Sequence, residues 1–260
     1  MTTNEVHYEV RNHTAHIIID RPERRNAMSL SVSRTLIEYF GTAEADTNVW
    51  AITVTGSGQD AFCAGADLKE FDDIARAGRQ IPAPMTGTQR NVHEVVLETT
   101  KPTVAILNGP AIAGGCELAL ACDLRIAARH ATIGMPEAKR GMGANFASVL
   151  LPRLVPRAVA LEMLYLGEPI TAEKALAYGL FNRVVDATEL ASTANSFVSA
   201  LVENAPLTLR RYKEMATKTW EIPVHNALRM NVGPNPYASA DREEGIRAYL
   251  EKRSPRWQNR

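Results

Sequence analysis

The chain has 260 residues, with 29 Lys and Arg against 29 Asp and Glu, for a formal net charge of zero. Its 45% hydrophobic and 22% charged content is that of an ordinary globular protein, long enough to bury a substantial core. The charge balance excludes the overall basic excess typical of nucleic-acid binders, and no apolar run approaches the ~18 residues of a bilayer span.

In chain order, Val6–Val10 and Ala15–Asp20 read as two strands around a turn, followed by the basic loop "RPERRNAMS". Ser29 or Ser31 is placed to cap a helix through "RTLIEYFGTAEA". The β-branched stretch "VWAITVTGSG" predicts a strand that stops at Gly56 and Gly58. "DAFCAGADLKEF" is a small-residue turn entering a helix at Asp67 or Leu68. Residues 76–90 hold Pro and Gly and predict a loop, and "NVHEVVLETT" predicts a helix ended by Lys101-Pro102. The pattern then recurs. "TVAILNGPAIAGGCELALAC" is again strand, small-residue turn and helix, and "LRIAARHATIGMPEAKRG" gives two short strands and a turn. From Pro156 onward every segment, "TAEKALAYGLFNRVV" included, reads as helix, with Gly167 and Gly179 at expected helix ends. An irregularly repeated strand–turn–helix unit up to about residue 150 predicts a wound α/β core.

The opening "MTTNEVHYEV" is polar and carries no secretory apolar core. Cys63, Cys116 and Cys122 have no metal-ligand or disulfide spacing, so free thiols, a reducing cytoplasmic compartment and no metal site are expected. No phosphate-binding or dinucleotide fingerprint and no serine-nucleophile elbow is present.

The two small-residue turns, "FCAGAD" and "IAGGCE", each follow a strand and open a helix. Small residues let backbone approach a ligand closely, and N–H groups at a helix start have no helical partner. Two such turns side by side would aim two N–H donors at one oxygen, the design of an oxyanion hole. Packing alone also explains a Gly-Gly before a helix. Glu117 stands one turn after Gly114, among Leu118, Ala119, Leu120 and Ala121. An apolar pocket raises a carboxyl's pKa, whereas a helix N-terminus lowers it, and the spacing leaves both open. Glu137 in "IGMPEAKRG" is a second acid, with helix capping as its plain alternative.

"AFCAGADLKEF", "NGPAIAGGCELALACDLRIA" and "IGMPEAKRG", in this order, resemble the enoyl-CoA hydratase (crotonase) family, and the likeness covers nearly the whole chain. It implies an α/β spiral of repeated ββα units over residues 1–195 and a helical C-terminal region, 196–260, that builds trimers or hexamers. It implies an acyl-CoA thioester substrate with no separate cofactor. It makes Ala66 and Gly114 the oxyanion N–H donors and Glu117 and Glu137 the catalytic acids. Arg25, Ala27, Ala64, Asp67, Leu68 and Lys69 would line the CoA site. Hydration of a 2-enoyl-CoA is the implied reaction, with Glu117 assigned to the water and Glu137 to the Cα proton. Double-bond isomerisation, carnitinyl-CoA-type dehydration and a non-catalytic binding role on this scaffold are the alternatives. After Glu137, "GMGANFASVLLPR" departs from the hydratase pattern, with Phe146 and Ala147 near expected glycines. Arg24 and Arg25 are candidates for CoA phosphates, with a solvated basic loop as the plain alternative. Lys213 is expected to be a plain surface lysine, with an approach to the nucleotide end of CoA from a C-terminal helix as its alternative; His93 and His130 are expected to be structural, Cys116 a buried filler, and Trp220 and Trp257 packing residues.

Overall fold

The computed structural model describes residues 5–80, 85–86 and 88–260; residues 81–84 and 87, part of the loop expected over 76–90, lie outside the described residues. The first strands are β1 (Val6–Arg11) and β2 (Thr14–Ile19), an antiparallel hairpin whose turn holds Asn12 and His13 at positive φ. Ser29, not Ser31, caps α1 (Leu30–Ala45) by accepting the Val32 N–H. Val32, Leu36, Phe40 and Ala43 form the buried stripe of α1 at helical spacing. β3 (Ala51–Gly56) lies parallel to β2 and is buried along nearly its whole length, as a central parallel strand must be. Asp67 caps α2 (Leu68–Arg76) through the N–H groups of Lys69 and Glu70. Asn91 and Glu94 close a capping box on α3 (Val92–Glu98).

β4 (Thr103–Leu107) joins β3, and the chain then enters a two-residue strand, β5 (Ala111–Ile112), and α4 (Gly114–Ala121). Every residue of α4 from Gly115 on is buried. β6 (Leu124–Ala128), β7 (Thr132–Gly134), α5 (Asn145–Leu154) and α6 (Arg157–Leu166) follow, with a 3-10 turn at Pro136–Arg140 after β7. Next come β8 (Ile170–Thr171), α7 (Ala172–Ala177), β9 (Arg183–Val185), α8 (Leu190–Val202), α9 (Pro206–Lys218), α10 (Val224–Ala227) and α11 (Ala240–Glu251).

The main sheet runs β1-β2-β3-β4-β6-β9, parallel from β2 onward, and a smaller sheet runs β5-β7-β8. Single parallel bridges, Met28 to Ala66 and Cys63 to Ala111, extend the second layer. Each turn of the chain thus lays a strand in the first sheet, a short extended piece in the second, and then a helix. That is the expected ββα spiral, and its repeat stacks the small-residue turns at one place.

The structure departs from the sequence reading at two places. "FNRVV" is not helix: Arg183–Val185 is the last strand of the main sheet, paired in parallel with β6. Gly179, at φ 79°, ends α7's turn, and the β-branched Val184 and Val185 then complete the sheet edge. α8 runs without a break through residues 195 and 196, packing Leu190, Ala194 and Val198 against Ile126 and Val104 of the sheet. Lys213 is not a surface lysine either. Its Nζ lies 2.8 Å from Asp123 and donates to the Lys101 carbonyl, tying α9 to the core. Trp257 packs on Gly245 of α11 and donates to the Glu203 carbonyl, whereas Trp220 is half exposed. Among the described residues no helix is long and apolar enough to cross a membrane.

Candidate active site

Three backbone segments zip together at the centre of the molecule. Ala64 donates to Arg25 O, Met28 to Gly65 O, and Asp67 to Met28 O, which sets residues 25–28 beside residues 64–67. Phe62 donates to Pro110 O and Ile112 to Cys63 O, which sets the first small-residue turn beside the second. Asn26 locks this join. It sits at φ 54°, fully buried, with its amide donating to the carbonyls of Ser57 and Ala61 and accepting the Arg21 N–H. Asn is among the few residues that tolerate that backbone conformation.

The fit between the turns requires glycine. A Cβ on Gly65, itself at φ 88°, would lie 2.9 Å from the Gly114 N, and one on Gly115 would lie 2.1 Å from the Cys63 carbonyl oxygen. A Cβ on Gly114 would lie 3.8 Å from the Ala66 N, so the two amides are neighbours. Among the described residues neither the Ala66 nor the Gly114 N–H has a hydrogen-bond acceptor. Both residues are partly accessible. Ala113 enters α4 at φ 57°, ψ −128°, a strained conformation for a side chain of any size that aims Gly114 toward Ala66.

Glu117 follows on the first turn of α4, 8% exposed. One of its carboxyl oxygens accepts the Ala147 N–H at 2.9 Å, and the Phe146 N–H adds to it. Both amides belong to the start of α5, so two helix N-termini favour its charge. Burial outweighs them and, with the nearby charge of Glu137, raises its pKa to about 7. Glu137 sits on the 3-10 turn after β7, 7% exposed. Its Oε2 is buried with no hydrogen-bond partner among the described residues, and burial raises its pKa as well. The fold therefore brings Glu117 and Glu137 into electrostatic contact across 20 residues of chain. A desolvated carboxyl with a pKa of about 7 can give and take a proton near neutrality, and the second carboxyl, also raised by burial, is coupled to it.

His93 belongs to this site rather than to a remote core. From α3 its Nε2 meets the Gly114 carbonyl at 3.0 Å, its Nδ1 stands 3.8 Å from Glu117 Oε2, and its ring packs on Phe146. The polar start of α3 gave no sign of this, because both partners lie more than twenty residues on. The departing segment around Phe146 and Ala147 likewise turns out to hold Glu117. His130 is exposed and bonds the Gln59 carbonyl. Cys116 is buried and its thiol is pushed well up by burial, as a filler's would be.

Of the expected CoA-lining residues, Ala64 is partly accessible beside Ala66, and Ala27 is buried with its carbonyl bound to Arg21. Arg25, Leu68 and Lys69 are exposed. The Asp67 carboxylate is committed to capping α2 and to Arg21 at 3.1 Å, so that residue contributes shape and backbone rather than a free charge.

The family model of enoyl-CoA hydratase/isomerase matches residues 9–260. The chain belongs to the enoyl-CoA hydratase/isomerase family. It is 34% identical to the (E)-benzylidenesuccinyl-CoA hydratase of Thauera aromatica, over 95% of this chain and 96% of that one. It is 35% identical to the carnitinyl-CoA dehydratase of Proteus mirabilis, over 99% of this chain and all of that one. Among solved structures, the enoyl-CoA hydratase of Mycobacterium tuberculosis superposes with a TM-score of 0.88 at 32% identity, covering 99% of this chain and 100% of that one. The family's fold is the ββα spiral described above.

Proposed function

We propose that this chain is a hydro-lyase that reversibly adds water across the 2,3 double bond of an enoyl-CoA thioester. The observation that carries the reading is the pair of amides, Ala66 and Gly114, that have no acceptor among the described residues and are set beside two buried carboxyls, Glu117 and Glu137. Attack of water at Cβ builds negative charge on the thioester oxygen. Two N–H donors fixed in advance stabilise that charge, and losing one such donor typically costs about 2.7–4 kcal/mol. Glu117 holds the water and takes its proton, and Glu137 delivers a proton to Cα. The same pair run backwards dehydrates a 3-hydroxyacyl-CoA. CoA runs along Arg25, Ala27, Ala64 and residues 67–69, with Arg24 and Arg25 nearest its phosphates; coenzyme A is part of the substrate and no further cofactor takes part. The three unpaired thiols suit a cytoplasmic enzyme.

The test is a panel of straight, branched, aromatic and hydroxylated acyl-CoA thioesters followed at the conjugated enoyl absorbance. The expected result is loss of that band with oxygen from labelled water incorporated at Cβ. Migration of the double bond without incorporation, or no turnover of any member, overturns the reading.

The chain is proposed to assemble as a trimer or a pair of trimers. Val224, Leu228, Tyr237, Tyr249 and Leu250, all in the helical C-terminal part, are each at least 73% exposed, and that apolar surface supports a contact with further copies there. Sedimentation velocity at micromolar concentration should give three or six copies, and a monomer there would contradict the assembly.

A further inference from the structure

One group in the site has no task in the proposed hydration, the imidazole of His93. Its Nε2 lies 3.0 Å from the Gly114 carbonyl, which only accepts hydrogen bonds, so Nε2 carries the proton. The ring is neutral, since burial lowers its pKa to about 4. A neutral ring with its proton on Nε2 presents a lone pair at Nδ1, and Nδ1 lies 3.8 Å from Glu117 Oε2. The Phe146 ring packs against the imidazole with centroids 5.5 Å apart, and Asn91 and Glu94 pin the helix that carries it. The charged groups acting on His93 are Glu94 on its own helix and Glu117 on α4. The neighbouring amides of Phe146 and Ala147 serve the carboxyl and not the ring.

We infer that His93 is a positioning residue for the proton on Glu117: its Nδ1 accepts the carboxyl O–H once Glu117 has taken a proton, while its Nε2–H holds the Gly114 turn. The contact is about 1 Å longer than a hydrogen bond, as suits a partner met only by the protonated acid. The ring thereby marks Oε2 as the oxygen that keeps the proton and Oε1 as the one held by Ala147. It also couples the acid–base group to the turn that presents the oxyanion donor. A carboxylate facing a lone pair is repelled, and a carboxylic acid there is bound. His93 therefore favours the form of Glu117 produced when water is deprotonated.

The inference rests on the hydratase reading for its catalytic meaning, and the experiment is chosen so that the two fail separately. Protein labelled with carbon-13 at the glutamate carboxyl is titrated by NMR, with the Glu117 resonance assigned by its absence in Glu117→Gln. This measurement needs no substrate. His93→Gln keeps an amide near the Nε2 position and loses the acceptor facing Glu117. His93→Asn keeps an acceptor near Nδ1 and loses the Gly114 contact. His93→Phe removes both and preserves the ring's bulk. The Gln and Phe variants are expected to titrate Glu117 at least half a pH unit below the parent, with the Asn variant close to the parent. In turnover, the acidic limb of the kcat/KM profile should move the same way. If Phe fails to fold, the Gln and Asn pair decides alone. A Glu117 titration unmoved in Gln, or moved equally in Gln and Asn, overturns the inference, whatever the turnover assays report.

Discussion

Glu117→Gln should abolish most turnover and at the same time make the protein more stable at alkaline pH. General acid–base groups contribute about 10²–10⁴-fold, so a loss of that size in kcat/KM is the expected kinetic effect. The amide fills the same space, accepts the Ala147 N–H as before, and turns a donor to the His93 lone pair, so the fold is retained. The stability effect follows from the carboxyl's pKa, moved from an ordinary 4.5 to about 7 by burial. Between those values the folded chain holds a proton that the unfolded chain has released. Stability is then fully present below about pH 4.5 and is lost as the pH rises through about 7. Glu137, raised for the same first reason, adds to the slope with the same sign. Urea melts should show the advantage of Glu117→Gln over the parent to be on the order of 2 kcal/mol larger at pH 8 than at pH 5. A variant that kept parental turnover would remove Glu117 from the mechanism. Equal stability differences at the two pH values would show instead that the carboxyl is not held neutral by burial.

That prediction needs a quantity the sequence does not contain. A carboxylate in an apolar run on the first turn of a helix is legible from "GGCELALA", and so are the two opposed influences on it. Which one wins depends on how completely α3 and α5 close over α4, and therefore on contacts with His93, Phe146 and Ala147. Local signals survived translation into structure well. Ser29 and Asp67 cap their helices, the β-branched runs lie in the main sheet, and the small-residue turns join strand to helix as read. The misreadings came where a partner far along the chain decides. Val184 and Val185 follow a helical stretch closely enough to pass for its continuation, and only the open edge of β6 makes them a strand. Asn26 sits inside a loop read for its arginines, yet its buried amide joins the loop to Ser57 and Ala61. Lys213 reads as one more cation on a basic helix until Asp123 is found beside it. The family resemblance supplied what spacing could not, the expectation that Glu117 and Glu137 meet.

The second large effect is expected at a buried glycine. Gly115→Ala would put a methyl carbon 2.1 Å from the Cys63 carbonyl oxygen, inside any permissible contact and against backbone rather than a yielding side chain. That oxygen also accepts the Ile112 N–H at 3.0 Å, so it cannot retreat without opening the join between the two turns. Overpacking a well-filled interior costs typically about 1–3 kcal/mol, and a fixed backbone on both sides places this case at about 3 kcal/mol or above. Turnover should fall further than stability does, because the displaced join is what sets the Ala66 and Gly114 amides side by side. Gly114→Ala is the control for stability alone, because Gly114 is itself one of the two donors. Its closest neighbour is the Cε of Met28 at 3.2 Å, the end of a flexible side chain, so the fold should yield there at little cost. Thermal melts of both variants and kcat of Gly115→Ala separate the two effects. If Gly115→Ala melts with the parent and turns over at the parental rate, the close fit of the turns is not what holds the two donors. If instead both variants fold and only the turnover of Gly115→Ala suffers, the distance between the amides matters more to this protein than the stability of the join that sets it.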